Sequence, residues 1–348
     1  MERRKSKEIK IGSVKIGADH PIAVQSMTFT KTANADATVK QILSLERAGC
    51  DIVRFSVPDE ESAKSISYIK EHTHIPLVAD IHFNYKLALA ALERGIDKIR
   101  INPGNIGSPE RIKAVADACR MRGVPIRIGV NGGSLEKHIL AKYGSPTPEA
   151  LCESALYHVR LLEQFDFTDI VVSIKSSDVA DTVRANRLFA EKTDYPLHLG
   201  VTEAGTERMG IIKSSAGIGS LLLDGIGDTI RVSLTDEVEK EVAAARDLLK
   251  ALGLRGGVNI VSCPTCARTN IDVIGLATRL HTLLDDCEKS IKVAVMGCAV
   301  NGPGEAKDAD IGIAGGMGEA LLIKHGEIVG KIPEDRVIET LMAEIEKL

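Results

Sequence analysis

The chain has 348 residues, enough for one large domain and a smaller one, with a net charge of −4 and 44% hydrophobic residues. This acidic balance excludes a global attraction to nucleic acid or to anionic membranes, so an anion site needs a local basic cluster. No apolar run reaches the roughly 18–20 residues that span a bilayer, and the basic opening lacks the apolar part of a secretory signal. Seven cysteines without a signal favour the reducing cytoplasm and metal-binding or buried thiols over a disulfide framework.

Eight short β-type runs alternate with amphipathic helical stretches. The runs are Ala23–Met27, Ile52–Val57, Leu77–His82, Lys98–Asn102, Ile126–Asn131, Ile170–Lys175, Leu197–Glu203 and Thr229–Leu234. Helices are predicted over Ala37–Ala48, Glu60–Glu71, Leu87–Arg94, Pro109–Arg122, Pro148–Gln164, Val179–Thr193, Ser214–Asp224 and Glu237–Leu252. Eight βα units in about 250 residues predict a (β/α)8 TIM barrel, an α/β fold, over residues 1–253. A doubly wound open sheet is the alternative, weakened because no Gly-rich dinucleotide fingerprint follows the first run.

A different pattern begins after the linker Gly253–Gly257 and predicts a small α+β domain over residues 258–348. Its strands are predicted at Val258–Ser262, Ile291–Met296, Ala309–Ala314, Ala320–Lys324 and Glu327–Lys331. One helix is predicted from Asp272 to about Asp286, and a final helix, introduced by Pro333, over Glu334–Leu348.

Polar side chains recur at the carboxyl ends of the eight runs, where a TIM barrel has its active site. They are Gln25 and Ser26, Arg54 and Ser56, Asp80 and His82, Arg100 and Asn102, Arg127 and Asn131, Ser173 and Lys175, Thr202 and Glu203, and Arg231 and Ser233. Many of these pairs are two residues apart, so both side chains point to one face of their strand. Four arginines and a lysine at one mouth favour a phosphate or diphosphate site, although any single arginine could merely neutralise a carboxylate.

Two features at the mouth have alternative interpretations. His82 could be an acid–base group or a metal ligand beside Asp80, or a hydrogen-bonded structural residue. The segment Lys213–Gly219 lies between the seventh and eighth runs, where barrels often bind phosphate. It is not a Walker loop, and close helix packing is the favoured role for its glycines.

Three cysteines near the C-terminus predict a metal site. Cys263 and Cys266 form a CxxC pair, and Cys298 follows the next predicted strand. Soft thiolates at this spacing favour an iron–sulfur cluster, with zinc and buried thiols as alternatives. The remaining cysteines are interpreted as buried, inert thiols: Cys50, Cys119, Cys152 and Cys287.

A fourth ligand is not obvious from spacing. Glu305, His281 and His325 are the candidates, and Glu305 is nearest, behind the rigid turn Asn301–Gly304. A carboxylate is a weak ligand that substrate could displace, so this set favours a catalytic cluster over an electron carrier.

The direction of the last barrel helix predicts an assembly. Glu237–Leu252 should run from the mouth to the bottom of the barrel, over about 24 Å. The linker is too short to return, so the cysteine domain should begin at the opposite end from its own mouth. We therefore expect a head-to-tail homodimer in which the cluster of one chain caps the barrel of the other.

Seven motifs resemble those of the bacterial hydroxymethylbutenyl diphosphate synthases, in order and over nearly the whole chain. They are Pro21–Thr28, Val78–Phe83, Arg100–Asn105, Arg127–Asn131, Leu199–Gly205, Cys263–Cys266 and Asn301–Glu305. The resemblance implies the compact bacterial form, without the extra middle domain of plant-type members.

The resemblance also implies a reaction of the non-mevalonate isoprenoid route. Such enzymes reductively open 2-C-methyl-D-erythritol 2,4-cyclodiphosphate, eliminate water and release 4-hydroxy-3-methylbut-2-enyl diphosphate. Two electrons arrive singly from reduced flavodoxin or ferredoxin, through a [4Fe-4S] cluster. The family is a head-to-tail homodimer, in agreement with the helix direction.

The family's site residues map onto this sequence without departure. The cluster ligands match Cys263, Cys266, Cys298 and Glu305, and the diphosphate site matches Arg54, Arg100, Arg127, Lys175 and Ser233, with Asn131 and Arg231 nearby. Asp80 and His82 complete the predicted substrate site. Glu203 matches a carboxylate that protonates or orients the departing hydroxyl; burial would raise its pKa and the arginines would lower it.

Two other functions compete with this one. One is a zinc-containing TIM-barrel transferase or aldolase, related in shape to the pteroate synthases, that acts on a phosphorylated substrate. The other is a cluster carrier with an anion-sensing barrel and no catalytic activity.

Overall fold

The computed structural model describes residues 2–285 and 287–348, which form two compact units, 1–252 and 253–348. In the first unit a two-stranded hairpin precedes eight parallel strands. The hairpin strands are β1 (Ile9–Ile11) and β2 (Val14–Ile16). The parallel strands are β3 (Ala23–Met27), β4 (Ile52–Ser56), β5 (Leu77–Asp80), β6 (Lys98–Ile101), β7 (Ile126–Asn131), β8 (Ile170–Lys175), β9 (His198–Leu199) and β10 (Thr229–Ile230).

The eight parallel strands form a barrel. They pair in the order β8-β7-β6-β5-β4-β3-β10-β9, and a single parallel bridge between Val172 and Leu197 joins the two outer members. Every residue of β8 is buried, as its continuous apolar core predicts. The predicted (β/α)8 barrel is therefore confirmed.

Ten helices accompany these strands in the described part of the first unit. They are α1 (Ala35–Arg47), α2 (Glu60–Glu71), α3 (Tyr85–Glu93), α4 (Pro103–Ile106), α5 (Pro109–Arg122), α6 (Lys137–Tyr143), α7 (Pro148–Glu163), α8 (Val179–Ala190), α9 (Glu207–Leu223) and α10 (Val238–Ala251). Their boundaries follow local chemistry: the Asp59 side chain accepts from the Ser62 N–H at the start of α2, and α5 ends at Gly123 with φ +63°.

Two predicted strands are much shorter than their sequence pattern. Leu197–Glu203 and Thr229–Leu234 are reduced to the two-residue strands β9 and β10. The regular pairing of β9 ends at Leu199. The next residue is Gly200, where a Cβ would lie 2.6 Å from Lys175 Nζ and 2.8 Å from the Arg231 carbonyl oxygen. The chain after both strands is therefore irregular where the candidate site residues lie.

The segment Lys213–Gly219 lies inside α9, which begins at Glu207, well before the predicted start at Ser214. A Cβ on Gly217 would lie 2.8 Å from Val201 Cγ2. This glycine thus allows the helix to approach the chain after β9, in agreement with the packing role predicted for it.

The hairpin was not predicted, because each strand has only three residues. Ile9, Ile11 and Ile16 are buried and join an apolar cluster with residues from the amino-terminal ends of the barrel strands: Ala23, Ile52, Val78 and Val171. The bottom of the barrel is therefore closed by hydrocarbon. The short helices α4 and α6 were also missed, since so few residues show no clear helical period.

The second unit is a five-stranded sheet with helices. Its strands are β11 (Asn259–Ser262), β12 (Lys292–Met296), β13 (Ile311–Gly315), β14 (Glu319–Lys324) and β15 (Glu327–Pro333), paired in that order. Its helices are α11 (Val273–Leu284), α12 (Gly302–Glu305) and α13 (Val337–Lys347). The first two pairings are parallel and the last two antiparallel, which confirms the α+β class.

The core of this unit combines Leu280 of α11, Val295 and Ile313 of the sheet and Leu341 of α13. The predicted end of its first helix falls on Asp286, outside the described residues. The final helix begins at Val337, three residues later than predicted, after a 3-10 turn. Across the described parts of both units, no helix combines the length and apolar character needed to cross a membrane.

Candidate functional site

Asp80, the last residue of β5, gathers two arginines at the mouth of the barrel. Arg54 Nη2 lies 3.0 Å from its Oδ2, and Arg100 Nη1 donates to its Oδ1 at 3.1 Å. The parallel register places Arg100 directly beside Asp80, and His82 Nε2 lies 3.6 Å from the carboxylate. Burial acts to raise the pKa of Asp80, but the positive charges of Arg54 and Arg100 outweigh it and hold the pKa below its usual range.

Arg127 of β7 is the largest fully buried side chain, and its Nε and Nη1 donate to no atom of the described residues. Burial lowers its pKa, and the neighbouring charges of Arg54 and Arg100 lower it further. For Arg54, burial lowers the pKa to about 10 despite the opposing effect of Asp80. Unsatisfied buried guanidinium groups are costly, so this arrangement favours an anionic ligand that would accept from them.

Lys175, the last residue of β8, is buried and completes the cationic mouth. Burial lowers its pKa well below the ordinary lysine value, followed by the charges of Arg127 and Arg231. Two glycines make room for these cations. A Cβ on Gly129 would lie 2.5 Å from Arg100 Nε, and one on Gly200 would lie 2.6 Å from Lys175 Nζ.

Arg231, after β10, pairs with a carboxylate that the sequence did not indicate. Its Nε and Nη2 donate to the two oxygens of Glu241 on α10, at 3.1 and 3.2 Å. Ser26 Oγ and the Leu234 N–H also donate to this carboxylate. Glu241 was missed because helix periodicity assigns it to α10 without showing that it is buried against the barrel.

Three other predicted residues lie on the segments after the strands. Asn131 ends β7 and Ser233 follows β10, and both are half-buried. Glu203 follows β9 with φ +54°, a left-handed conformation that is uncommon for residues other than glycine. Its side chain is exposed, so the burial expected of a proton donor is not provided by the described part of the first unit.

A deeper polar layer was missed by sequence reasoning. Lys98 opens β6 and His198 opens β9, and both side chains are fully buried. His198 Nδ1 lies 2.8 Å from Thr229 Oγ1, and burial lowers the pKa of His198 well below its ordinary value. Lys98 could have been found, since it lies two residues before Arg100 and so points to the same face of the strand.

The barrel interior therefore carries an excess of positive charge. Six basic side chains line it in the described residues: Arg54, Lys98, Arg100, Arg127, Lys175 and Arg231. The carboxylates that pair with them there are Asp80 and Glu241. This imbalance is suited to a multiply charged anion.

The second unit brings two of the predicted thiols to adjacent strand ends. Cys263 follows β11 and Cys298 follows β12 by two residues, and these strands are parallel neighbours in register at Ser262 and Val295. The Gly297 N–H donates to Cys263 Sγ at 3.1 Å, and the Cys266 N–H donates to Thr269 Oγ1 at 3.0 Å.

The surroundings favour thiolates at two of these positions. Hydrogen bonds from the backbone N–H and side chain of Arg268 lower the pKa of Cys266. Backbone N–H groups of Asn301 and Val300 lower the pKa of Cys298. Thiolates that accept N–H hydrogen bonds are the donor chemistry that iron–sulfur clusters use.

Glu305 ends α12 with an exposed side chain. Within the described residues, no three or more His, Cys, Asp or Glu side chains converge as a metal site, so the ligand set remains a prediction. The chemistry of the donors nevertheless fits a cluster. The alternatives to Glu305 lie on α11, for His281, and between β14 and β15, for His325.

The other four cysteines are mostly buried, as predicted. Cys50, Cys119 and Cys152 are buried in the first unit, and burial raises the pKa of Cys50 to about 12. Cys287 is only half-buried and packs against the core of the second unit. All seven cysteines are free thiols.

Two family models cover nearly the whole chain. The model described as the GcpE TIM-barrel domain matches residues 6–246, and the model described as the GcpE protein C-terminal domain matches residues 259–347. The chain belongs to the GcpE family. The resemblance inferred from the seven motifs is thus confirmed.

Relatives in this family match the chain from end to end. A protein of Caldicellulosiruptor saccharolyticus is 58% identical over 343 residues, covering 99% of both chains. One of Caldanaerobacter subterraneus is 59% identical over 347 residues, covering 99% of this chain and 98% of its own. Both are named 4-hydroxy-3-methylbut-2-en-1-yl diphosphate synthase (flavodoxin).

Solved structures of other enzymes share the GcpE barrel alone. Dihydropteroate synthase of Stenotrophomonas maltophilia has a TM-score of 0.53 at 16% identity, covering 71% of this chain and 97% of its own. The 3-dehydroquinate dehydratase of Geobacillus kaustophilus has a TM-score of 0.52 at 17% identity, covering 72% and 98%. At such identities the likeness shows the fold and carries no activity.

Proposed function

We infer that the chain is an oxidoreductase of isoprenoid biosynthesis, a 4-hydroxy-3-methylbut-2-en-1-yl diphosphate synthase that uses flavodoxin. It opens 2-C-methyl-D-erythritol 2,4-cyclodiphosphate reductively and eliminates water. End-to-end identity to relatives of that name supports this function. The observation that carries it in the structure is the buried Arg127, whose unsatisfied donors lie in a barrel with excess positive charge.

The cationic mouth is proposed as the diphosphate site. Arg54, Arg100, Arg127 and Lys175 would hold the phosphate oxygens, with Asn131, Arg231 and Ser233 at the rim. Asp80 would orient two of the arginines, with His82 beside it at the substrate. Ring opening breaks a carbon–oxygen bond and leaves its negative charge on a phosphate oxygen. Fixed guanidinium groups stabilise that charge without reorganising, which lowers the barrier to ring opening.

The proposed cofactor is a [4Fe-4S] cluster held by Cys263, Cys266, Cys298 and Glu305. When bound, it supplies electrons one at a time and a Lewis-acidic iron. The Gly297 N–H that donates to Cys263 and the N–H groups near Cys298 would stabilise the thiolates. Glu203 is proposed to protonate or orient the departing hydroxyl, which leaves as water.

The wider assembly is also a proposal. A head-to-tail homodimer would place the cysteine unit of one chain over the barrel of its partner and so cover Glu203. Ferredoxin is a second possible class of electron donor, besides flavodoxin. A cytoplasmic location is proposed as well, because an odd number of cysteines in a long chain favours metal-binding or buried thiols over a disulfide framework.

Metal analysis and turnover test the function together. Anaerobically purified protein is expected to contain four iron atoms and acid-labile sulfide per chain, and to convert the cyclodiphosphate with reduced flavodoxin. One zinc and no sulfide would favour the transferase or aldolase class instead. A loaded cluster without turnover would favour a carrier.

Glu305→Ala tests the fourth ligand. We expect turnover to fall by more than tenfold while the thermal midpoint changes little, because the side chain is exposed and a weak ligand is lost. The matched control is Glu327→Ala, which removes another exposed carboxylate of the same unit. Full turnover and full iron content in Glu305→Ala would show that the ligand role is wrong.

A further inference from the structure

Lys98 lies in the barrel below the cationic mouth. It is fully buried, and Lys98 Nζ lies 3.4 Å from Gln25 Oε1, a long and neutral hydrogen bond. Lys98 lies two positions before Arg100 on the same strand, so the two layers are about 7 Å apart. Beneath Lys98 the interior is hydrocarbon from the hairpin cluster.

The barrel interior offers Lys98 few groups that could stabilise a positive charge. The charged and titratable side chains there are Arg54 on β4, Asp80 on β5, Arg127 on β7, Lys175 on β8, His198 on β9, Arg231 after β10 and Glu241 on α10, which pairs with Arg231. Asp80 already pairs with Arg54 and Arg100. Burial and the charges of Arg127 and Arg54 lower the pKa of Lys98 well below its ordinary value.

We propose that Lys98 is neutral in the empty barrel and takes up a proton when the diphosphate binds in the layer above it. The arginines cannot release their charge, since guanidinium stays protonated in proteins, so a buried lysine is the group that adjusts. A doubly charged anion then offsets the repulsion from Arg54 and Arg127. This inference rests on the proposed function, because it names the cyclic diphosphate as the anion.

The chemistry of the substrate allows proton uptake on binding to be assigned to the protein. In the cyclodiphosphate each phosphorus carries one strongly acidic hydroxyl, so the ligand stays doubly charged throughout the neutral range. Any proton taken up on binding therefore comes to the protein. Without a reductant the substrate cannot turn over, and its binding can be measured at equilibrium.

The experiment is calorimetric titration of the holoenzyme with the cyclodiphosphate at pH 8, in buffers of different ionisation enthalpy. We expect uptake of about one proton, and an affinity that falls by up to about tenfold per pH unit as the pH rises from 7 to 9. Lys98→Met is expected to lose this proton uptake and the pH dependence, while still binding the ligand. Methionine fills a similar volume without charge, and a thermal melt checks that the variant folds.

Two variants control the assignment. His82→Gln should retain the uptake at pH 8, since the proposal assigns the proton to Lys98 and not to the histidine beside Asp80. Lys175→Met should bind more weakly but, at saturating ligand, still take up the Lys98 proton. Uptake kept in Lys98→Met, or lost only in Lys175→Met, overturns the proposal.

The outcomes separate this inference from the function it rests on. No binding of the cyclodiphosphate to the holoenzyme would contradict the proposed function. Binding with no proton uptake by the unaltered enzyme at pH 8 overturns the role of Lys98 and leaves the function standing. That result needs no variant, so it holds even if Lys98→Met does not fold.

Discussion

At the scale of single residues, the carboxylate of Asp80 offsets part of the positive charge in the empty barrel. Its carboxylate contacts both Arg54 and Arg100 while almost fully buried. Removing one partner of a buried ion pair leaves an uncompensated charge, and this costs far more than losing a surface pair.

Asp80→Asn is therefore expected to lower the free energy of unfolding by about 3–5 kcal/mol at pH 7. The pKa of Asp80 is depressed in the folded state, so its stabilising contribution is present above the unfolded value near 3.9. It is lost as the pH falls through the lower folded value. The measurement is thermal or urea unfolding of both proteins at pH 7 and below pH 4. The difference in free energy of unfolding between Asp80→Asn and the unaltered protein should be smaller at the lower pH.

The control for this change is Asp117→Asn, which breaks pairs of a more exposed carboxylate with Lys113 and Arg120. Its effect should stay within about 1 kcal/mol. An equal loss in the two variants would mean that Asp80 is no more important than a surface carboxylate.

Sequence reasoning indicated the polar side chains that alternate along the barrel strands, but not those whose contacts join elements distant in sequence. Arg54, Arg100 and Arg127 follow from strand alternation alone. Glu241 does not, because the approach of α10 to Arg231 depends on packing between elements distant in sequence. The conformation of Glu203 likewise depends on the irregular chain after β9.

At the scale of elements, the barrel strands make space for charge by using glycine. Gly129 of β7 lies where a Cβ would contact the Arg100 guanidinium at 2.5 Å. That guanidinium is fixed by Asp80 and has little freedom to move aside. Strand β7 thus supplies the cation Arg127 and, at Gly129, the space that the Arg100 side chain of β6 occupies.

Gly129→Ala is expected to displace Arg100 and to weaken binding of the cyclodiphosphate by more than tenfold, measured by calorimetry without reductant. The matched control is Gly133→Ala, a nearby glycine with no atom within 4 Å of its added Cβ. Equal affinities for the two variants would show that the position of Arg100 does not matter for the ligand.

Element boundaries were predictable where capping residues or proline mark them, as at Asp59 and Pro109. They were not predictable for β9 and β10, whose apolar pattern continues past the last paired residue. No local signal in the sequence marks the residue at which the pairing of these two strands ends.

At the scale of the whole molecule, the proposed head-to-tail dimer would build each site from two chains. Mixing a barrel-defective variant, Arg127→Met, with a cluster-defective variant, Cys298→Ser, tests this. After subunit exchange, half of the dimers are mixed, and one of the two sites in each is intact. Activity should therefore recover to about a quarter of the unaltered enzyme, although each variant alone is inactive.

The control is to show that subunits have exchanged. One variant carries a tag and the other does not, and sedimentation of the mixture should show dimers that contain one chain of each kind. Exchanged dimers without any recovered turnover would mean that each chain builds its site alone. A fully active monomer would exclude the assembly altogether.

The sequence by itself determined the order of βα units, the two-part organisation and most of the chemical groups. These depend on periodicity, caps and motif residues that act over a few positions along the chain. Only the tertiary structure decided which charges are buried and which are paired. Arg127 and Lys98 differ from surface cations solely because the closed barrel and its hydrocarbon floor remove them from water.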